Sequence, residues 1–539
     1  MHIVVDRRPE GLAVVDESGA EALVPAESFA AHVREREAEH PRWVWTDTAQ
    51  WYPALLRAGV RVERCHDLRL VDAILAGIEG RPPRTEWGKA VPVRANTLFD
   101  FDSGQDARTA PSAPDVFAEQ RAAIAAQPSP GRTALLAAAE SAGALAAAEM
   151  EFVGLPWNAE AHHQLLVEAL GERPPPGRRP PALERLAGEV EALLDVGPVP
   201  IDSPPELVKS LRRAGLDVQS TRSWELKKLD HPAIAPLLQY KSLSRLLTAN
   251  GWNWLEEWVH DGRFRPTFVP GGVVTGRWAS DGGGALQLPK QVRSAVQADA
   301  GWALVVADAA QLEPRVLAAL SGDAAMAQAG AGVDLYAGIV ASGAVESREH
   351  AKVGMLGAMY GGTTGVSAQV LPRLARSFPR AIGFVEAAAR AGERGERVET
   401  RLGRTSPRPG AEWRERQSMA SSDGAGEADR ARARSESRSW GRFTRNFVVQ
   451  GTAAEWALSW MAGVRRRLWQ PELGPIEQQP HLVFFLHDEL MVHAPLDRVD
   501  EVQAALHDAA FDAARIVFGA TPVTFPVTVA VVQRYSDAK

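Results

Sequence analysis

The stretch Leu482-Val-Phe-Phe-Leu-His-Asp-Glu489 sets five apolar residues directly before three polar ones. It has a counterpart far upstream in Trp302-Ala-Leu-Val-Val-Ala-Asp308. Each reads as a buried β-strand that ends in acid, and His481 to Ala494 reads as two strands turning at His487 to Glu489. Like charges brought close repel, so Asp308 and Asp488 can share one site only with cations between them, as in two-metal phosphoryl transfer. A structural turn is the bland alternative for His487-Asp488-Glu489 alone, because aspartate is common in turns.

Composition bounds the setting. A chain of 539 residues with 45% hydrophobic content can bury a large core and should divide into two to four domains. No apolar run is long enough to span a membrane, and the N-terminus lacks a secretory apolar core, so a cytoplasmic protein is expected. The single cysteine, Cys65, excludes an internal disulfide framework and a Cys-rich zinc site. Net charge of -7 argues against coating nucleic acid by bulk charge, although arginines recur every few residues from Arg373 to Arg445. Between Gln291 and Ala538 the only lysine is Lys352.

Residues 1–95 read as a small α/β domain, with strands at His2–Asp6, Leu12–Asp16 and Trp43–Thr46 and a helix at Ala49–Ala58. A polar stretch at Asp102–Pro114 reads as a linker, within a linker and helical connector over 96–145. Alanine-rich helix follows from Asp115 to Met150, broken near Gln127 to Gly131, and a proline-rich breaker lies at Arg173–Pro181. Pro204 and Pro205 mark a helix start, and Arg263–Val274 reads as a hairpin around Pro270-Gly271-Gly272. Helices are expected at Gln311–Leu320, Arg348–Tyr360, Phe384–Arg390 and Asn446–Leu468. Residues 406–438 carry almost no large apolar side chains and read as a mobile loop or weak helix.

Arg348, Lys352, Leu356 and Tyr360 are spaced by four, so they drift slowly along one helix face over roughly 18 Å. Two cations and an aromatic on one face suit a polyanion with a ring at one end. Solvated charges on an ordinary amphipathic helix are the alternative. Gly276-Arg277-Trp-Ala-Ser280 precedes a glycine loop and Leu286-Gln287-Leu288-Pro289, where small residues allow close backbone approach and Arg277 can fork onto a phosphate or a base edge; a glycine-rich surface turn is the equally good alternative. Arg442, Asn446 and Gln450 repeat the four-residue spacing and offer donors and acceptors to base edges. Together these features specify a nucleotidyl-transfer site.

From about residue 146 to 539 the chain resembles the polymerase region of family A DNA polymerases, the bacterial DNA polymerase I type. Asp308-Ala-Ala-Gln-Leu-Glu-Pro-Arg315 is similar to the family's motif A. Arg348, Lys352, Tyr360 and Gly361 fall on motif B, and His487-Asp488-Glu489 on motif C. Val398 to Arg404, Asn446 to Ala454, Leu238 to Leu243 and Thr275-Gly276-Arg277 also follow family patterns.

The resemblance implies an α+β right-hand fold: thumb and the start of the polymerase region at 146–275, palm at 276–335, fingers at 336–440 and palm again at 441–539. It implies two Mg2+, with Mn2+ as a substitute, held by Asp308, Asp488 and the carbonyl of Ala309. Asp308, Asp488, Lys352 and Glu489 would carry the chemistry. Arg348, Lys352, Leu356, Tyr360, Gln311, Glu313 and His487 would meet the nucleotide, Glu313 crowding a ribose 2'-hydroxyl. Arg277, Gln287, Arg315, Arg442, Asn446 and Gln450 would meet DNA. The expected partners are primer-template DNA and dNTPs, the chain acting as a monomer in repair or gap filling.

Departures matter as much. The usual Tyr-Ser after the first aspartate is Ala309-Ala310, and the usual aromatic on the fingers helix is Leu356. Loss of that ring removes a stacking surface worth about 1–3 kcal/mol. Pro314 is expected to interrupt the helix start after Glu313. These changes predict a slow or unusually selective polymerase. Residues 1–95 stand where such enzymes carry an RNase H-like 3'-5' exonuclease, yet 1–150 lack the Asp-x-Glu and Tyr-x-x-x-Asp pattern, so an inactive nuclease-like domain is expected, with no stretch for a 5' nuclease. The alternatives are a single-subunit RNA polymerase-like enzyme, against which Glu313 and Glu489 speak, and a non-catalytic primer-template-binding accessory protein.

Overall fold

The computed structural model describes residues 1–85, 112–362 and 364–538. The linker expected at Asp102–Pro114 lies outside these up to residue 111. The chain divides into two compact units, Met1–Val153 with Thr267–Asp281 and Ala300–Val531, and Gly154–Pro266 with Gly282–Asp299 and Val532–Lys539.

The first unit opens with β1 (His2–Arg8), β2 (Gly11–Val15), β3 (Glu21–Val24), α1 (Phe29–Arg36), β4 (Arg42–Trp45), α2 (Thr48–Arg57), β5 (Arg64–Asp67) and α3 (Leu68–Glu79). The strand order is β3-β2-β1-β4-β5. β1, β2 and β3 pair antiparallel, while β4 pairs parallel with both β1 and β5, as an RNase H-like α/β domain requires. Val5, Phe29, Val33, Trp43, Trp45 and Tyr52 form its core. α4 (Ala113–Ala125) and α5 (Pro130–Val153) follow. Ala144 to Ala148 are all buried, and the lack of bulk lets neighbours come close: a Cβ on Gly143 would stand 2.9 Å from Leu458.

The second unit contains β6 (Leu155–Pro156), α6 (Ala159–Leu170), α7 (Pro181–Leu194), α8 (Pro204–Arg213), α9 (Ser223–Leu226), α10 (Ile234–Asn250), α11 (Trp252–Trp258), β7 (Val259–His260) and β8 (Arg263–Phe264). Pro204 and Pro205 stand at the start of α8 as expected, because the first turn has no use for their missing N–H groups. Trp157, Trp254 and Phe264 pack together beside His162 with tilted rings, the Trp157–Phe264 pair edge to face, and centroids 4.9–5.5 Å apart. The hairpin expected over Arg263–Val274 is revised. β8 pairs with β6 and β7, whereas β9 (Thr267–Val269), in the first unit, pairs with β10 (Ala279–Asp281). A second turn, in which Gly276 N–H donates to Val273 O at 2.7 Å, delays the return strand.

The remainder of the first unit runs β11 (Trp302–Ala309), α12 (Leu312–Ser321), α13 (Ala324–Ala329), α14 (Leu335–Ala341), α15 (Arg348–Tyr360), α16 (Gly365–Ser377), α17 (Pro379–Glu393), α18 (Ala411–Ala420), α19 (Glu427–Arg467), β12 (His481–Leu486), β13 (Glu489–Pro495), α20 (Val499–Phe518) and β14 (Val527–Val532). The order β12-β13-β11-β14 puts the two acid-ended strands in one sheet. Trp456 and Trp460 of α19 are fully buried, and the Trp460 indole donates to Leu506 O at 2.9 Å, joining α19 to α20. Residues 406–438, expected as a mobile loop or weak helix, supply α18 and the first three turns of α19. Alanine, arginine and glutamate dominate there, and they favour helix without large apolar side chains. Pro314 leaves α12 uninterrupted: it is the third helical residue, where a backbone N–H has no partner within the helix.

Candidate functional site

β11 and β13 pair antiparallel from Trp302 opposite Pro495 to Asp308 opposite Glu489. The turn between β12 and β13 is only His487-Asp488, with His487 in the left-handed region at φ 59°. One residue beyond Asp308, Ala309 N–H donates to Asp488 O at 2.9 Å. The backbone thus fixes Asp308 and Asp488 side by side at one sheet end, both part-exposed, with Glu489 buried beside them.

α15 has the bounds expected from the sequence. Ser347 caps it by accepting from His350 N at 3.1 Å, and Gly361, at φ 77°, closes it by donating to Gly357 O at 2.8 Å. Gly354 and Gly357 face α16 so closely that a Cβ on Gly357 would lie 1.6 Å from Ser367 Oγ. With that side packed, Arg348, Lys352, Leu356 and Tyr360 are all exposed on the other. Arg348 donates to Asp334 at 2.7 Å and lies over the Tyr336 ring, 5.6 Å from its centroid.

Glu313, in the first turn of α12, joins two other expected site residues. Arg277 donates to it, and the Tyr360 hydroxyl donates to it at 2.7 Å. Burial and the Glu313 charge push the Tyr360 hydroxyl up to about 12, so it stays a donor. Gln450 of α19 bonds Tyr360 as well and accepts from Thr275 Oγ1 at 2.9 Å. Burial and the Arg277 charge lower the His487 pKa. Arg442 is exposed on α19, and its stem fills the space beside Gly361, where a Cβ would meet Arg442 Cγ at 2.5 Å. Asn446 holds a buried amide oxygen one turn further on.

The first unit thereby gathers Asp308, Ala309, Asp488, Glu489, Arg277, Glu313, Tyr360 and Gln450. Gln311 turns elsewhere: at φ 48° it starts α12, and its carboxamide accepts from Leu335 N at 3.0 Å. Gln287 belongs to a 3-10 turn of the second unit. Arg315 corrects an expectation, because it is fully buried and donates to the carbonyls of Ala310, Gly330, Gly332, Val333 and Thr524. Those bonds leave it no role at a DNA surface, and burial pulls its guanidinium down to about 10. Sequence reasoning named Thr275 and Arg404 only as parts of family patterns, and it missed Asp334 and the bond from Arg404 to Glu140 beneath Gly276.

Residues 182–536 match the family model described as DNA polymerase family A. The chain belongs to DNA polymerase family A. A thermostable DNA polymerase I from Thermus filiformis is 29% identical over 389 residues, 65% of this chain and 43% of that protein. DNA polymerase I from Chloroflexus aurantiacus is 27% identical over 343 residues, 58% of this chain and 33% of that one. The chain therefore spans less than half the length of these family A relatives. The fold also matches a solved structure, the POL domain of Pol1 from M. smegmatis in complex with DNA primer-template and dNTP, with a TM-score of 0.69 and 19% identity over 99% of this chain and 95% of that one. No helix among the described residues is long and apolar enough to cross a membrane.

Proposed function

We propose that this family A chain is a template-directed DNA polymerase that extends a primer 3' end by two-metal nucleotidyl transfer. The observation that carries the reading is the bond from Ala309 N–H to Asp488 O, which sets Asp308 and Asp488 together at the end of one sheet. Their oxygen donors suit Mg2+, or Mn2+ in its place. Among the described residues no three His, Cys, Asp or Glu side chains form a metal cage. A magnesium site completed by substrate phosphates takes only one or two carboxylates from the protein.

Asp308, Asp488 and the Ala309 carbonyl would hold the ions, with Glu489 beside them. Bound there, the ions would acidify the primer hydroxyl and offset charge on the triphosphate. The chain's own groups do the rest. Arg348 and Lys352 reach from an exposed helix face toward phosphates, and Lys352 can deliver a proton to the departing pyrophosphate oxygen. Tyr360 and Glu313, bonded to each other, close the space a 2'-hydroxyl would need. Arg277, Arg442, Asn446, Gln450 and His487 of the first unit hold primer and template, with Gln311 as support behind the nucleotide, and Gln287 of the second unit makes a DNA contact of its own.

Loss of nuclease function in the N-terminal domain is part of the same proposal. At the sheet end where strand-borne carboxylates would hold metals, Asp6 is paired with Arg8 at 3.4 Å. Nearby, Asp47 and Asp67 cap helices by accepting from Ala49 N and Leu70 N, and Arg69 binds Asp47 at 2.9 Å. A polymerase without proofreading suits gap filling in repair.

Primer extension tests the reading. Wild type should add dNTPs, and rNTPs poorly, to a gapped template, whereas Asp308→Asn and Asp488→Asn should each lose extension while still binding primer-template. Trimming of a mismatched 3' end by wild type would refute the nuclease part. Extension unchanged in both aspartate variants would refute the whole.

A further inference from the structure

α19 is 41 residues long, and its N-terminal part carries Arg430, Arg434, Arg438 and Arg442 at a constant spacing of four. All four are exposed. Steps of four residues turn by about 40°, so the four arginines stay within about 120° of helix surface over roughly 18 Å. Asn446 and Gln450 continue the spacing into the site.

One side of the helix is packed, while Ala431, Arg432, Ser435 and Ser439 are exposed beside the row. Ala433 is buried against α18, whose Gln417 donates to Ala433 O at 2.9 Å and whose Arg416 binds Glu436 at 2.7 Å. Ser437 donates to Glu393 O at 2.8 Å, and a Cβ on Gly441 would lie 2.9 Å from Ala389 O of α17. Protein thus packs the helix on one side while the arginine row faces out. Among the described residues the row has one ion pair, Arg434 with Glu427 at 2.8 Å, which is exposed on both sides, and pairs of that kind contribute little.

We propose that this arginine row is a track for one polynucleotide strand, the unpaired template ahead of the site. The inference rests on the polymerase reading above. A single line of guanidiniums, one per helical turn, matches the single line of phosphates on one strand, and each planar fork suits a phosphate. A duplex would call for cations in two rows. The chain's net charge of -7 leaves no general attraction for DNA, so a confined row has an effect the remaining surface would not supply. The row also ends in the right place, with Arg442 against Gly361, the residue that closes the Tyr360 helix.

The test replaces Arg430, Arg434 and Arg438 together with glutamine and leaves Arg442 intact. Fluorescence anisotropy would measure binding to primer-templates with a long 5' overhang and with a single-nucleotide overhang across a salt series. Wild type should favour the long overhang. The triple variant should lose that preference, with the salt slope on the long overhang falling by about 2, from three contacts at about 0.7 each. Its binding to the short overhang and its melting temperature should stay at wild-type values, and three lysines at the same positions should restore most of the preference. An overhang preference unchanged in the triple variant overturns the proposal, and so does an equal loss on both substrates. Wild type that binds no primer-template at all would instead sink the polymerase reading.

Discussion

Arg465 on α19 sits at the junction of three elements, and its replacement should unfold more than a local contact. Its side chain is buried, as is that of Glu149 on α5, which it binds through Nε at 2.9 Å and Nη2 at 2.8 Å. It also donates to Glu63 O at 2.7 Å and to Val62 O in the N-terminal domain. Tyr52 donates to the same carboxylate at 2.7 Å, and Arg61 reaches it at 3.2 Å. Burial alone would raise the Glu149 pKa. Arg465 and Arg61 overcome that and bring it down to about 2.

A fall from 4.5 to about 2 amounts to about 3 kcal/mol of stabilisation at neutral pH. Stranding a buried charge by removing its partner costs about 3–5 kcal/mol, so the two routes agree. Arg465→Met should therefore lower stability by about 3 kcal/mol or somewhat more, with Arg61 limiting the loss. For a unit of this size that is roughly 4–6 °C in melting temperature, at about 2.1 cal/mol/K per residue. Calorimetry on the full chain would read it. Because the folded pKa is depressed, this stability is present above pH 4.5 and disappears as pH falls toward 2, so wild type should lose it on acidification and Arg465→Met should not. Adding Glu149→Leu removes the stranded charge and should recover most of the loss. A single variant that melts with wild type, or a double variant as unstable as the single, refutes the reasoning.

Other expectations follow from the same contacts. Arg404 lies flat against Gly276, with Nε 2.6 Å from where a Cβ would be, and so props the segment that carries Arg277. Arg404→Ala and Arg277→Ala should each weaken primer extension, and the double variant should be little worse than Arg277→Ala; multiplicative losses would show that the two act independently. Burial pushes Glu455 up to about 7, although bonds from Thr400 and Leu402 N–H oppose it. A raised folded pKa gives stability that is full below pH 4.5 and is lost as pH rises to about 7, at most about 3 kcal/mol, so Glu455→Gln should flatten the melting-temperature profile over that window. Leu356→Phe adds a ring to the exposed face of α15 and should lower the dNTP KM at least about fivefold by stacking of about 1 kcal/mol; an unchanged KM means that residue does not face the base.

Much of this was legible in the sequence wherever a local rule fixes the answer. Ser347 and Gly361 mark both ends of α15 by their capping chemistry, and the apolar runs before Asp308 and Asp488 mark β11 and β12. Pairings between distant segments were not legible. Nothing near Arg348 points to Asp334, and Thr275 lies 175 residues from Gln450. Arg315 could have been read better. Two residues after Glu313 it stands about 200° around the helix, so a helix that turns Glu313 to the site turns Arg315 away. The helices within 406–438 were obscured because their packing uses Ala433 rather than large apolar side chains.

These contacts also bear on the proposal that the N-terminal domain serves the polymerase as a scaffold. Arg397 donates to Gly77 O at 3.0 Å and Ile78 O at 2.8 Å, capping the C-terminal end of α3. Five residues on, Leu402 is buried against Ile74 and Leu136, and Arg404 binds Glu140 of α5 beneath Gly276. The loop that supports Arg277 is therefore anchored on the N-terminal domain and on the helix that follows it. Replacing Asp6 or Asp47 touches none of these bonds. Removing the domain would take partners from Arg465 and Glu149, both buried, and from the part-buried Arg397. On the proposed reading, the sheet-end carboxylates and the polymerase-facing contacts form separate hydrogen bonds, and the charge of Arg69, bonded to Asp47 and felt by Glu140, is the link between them.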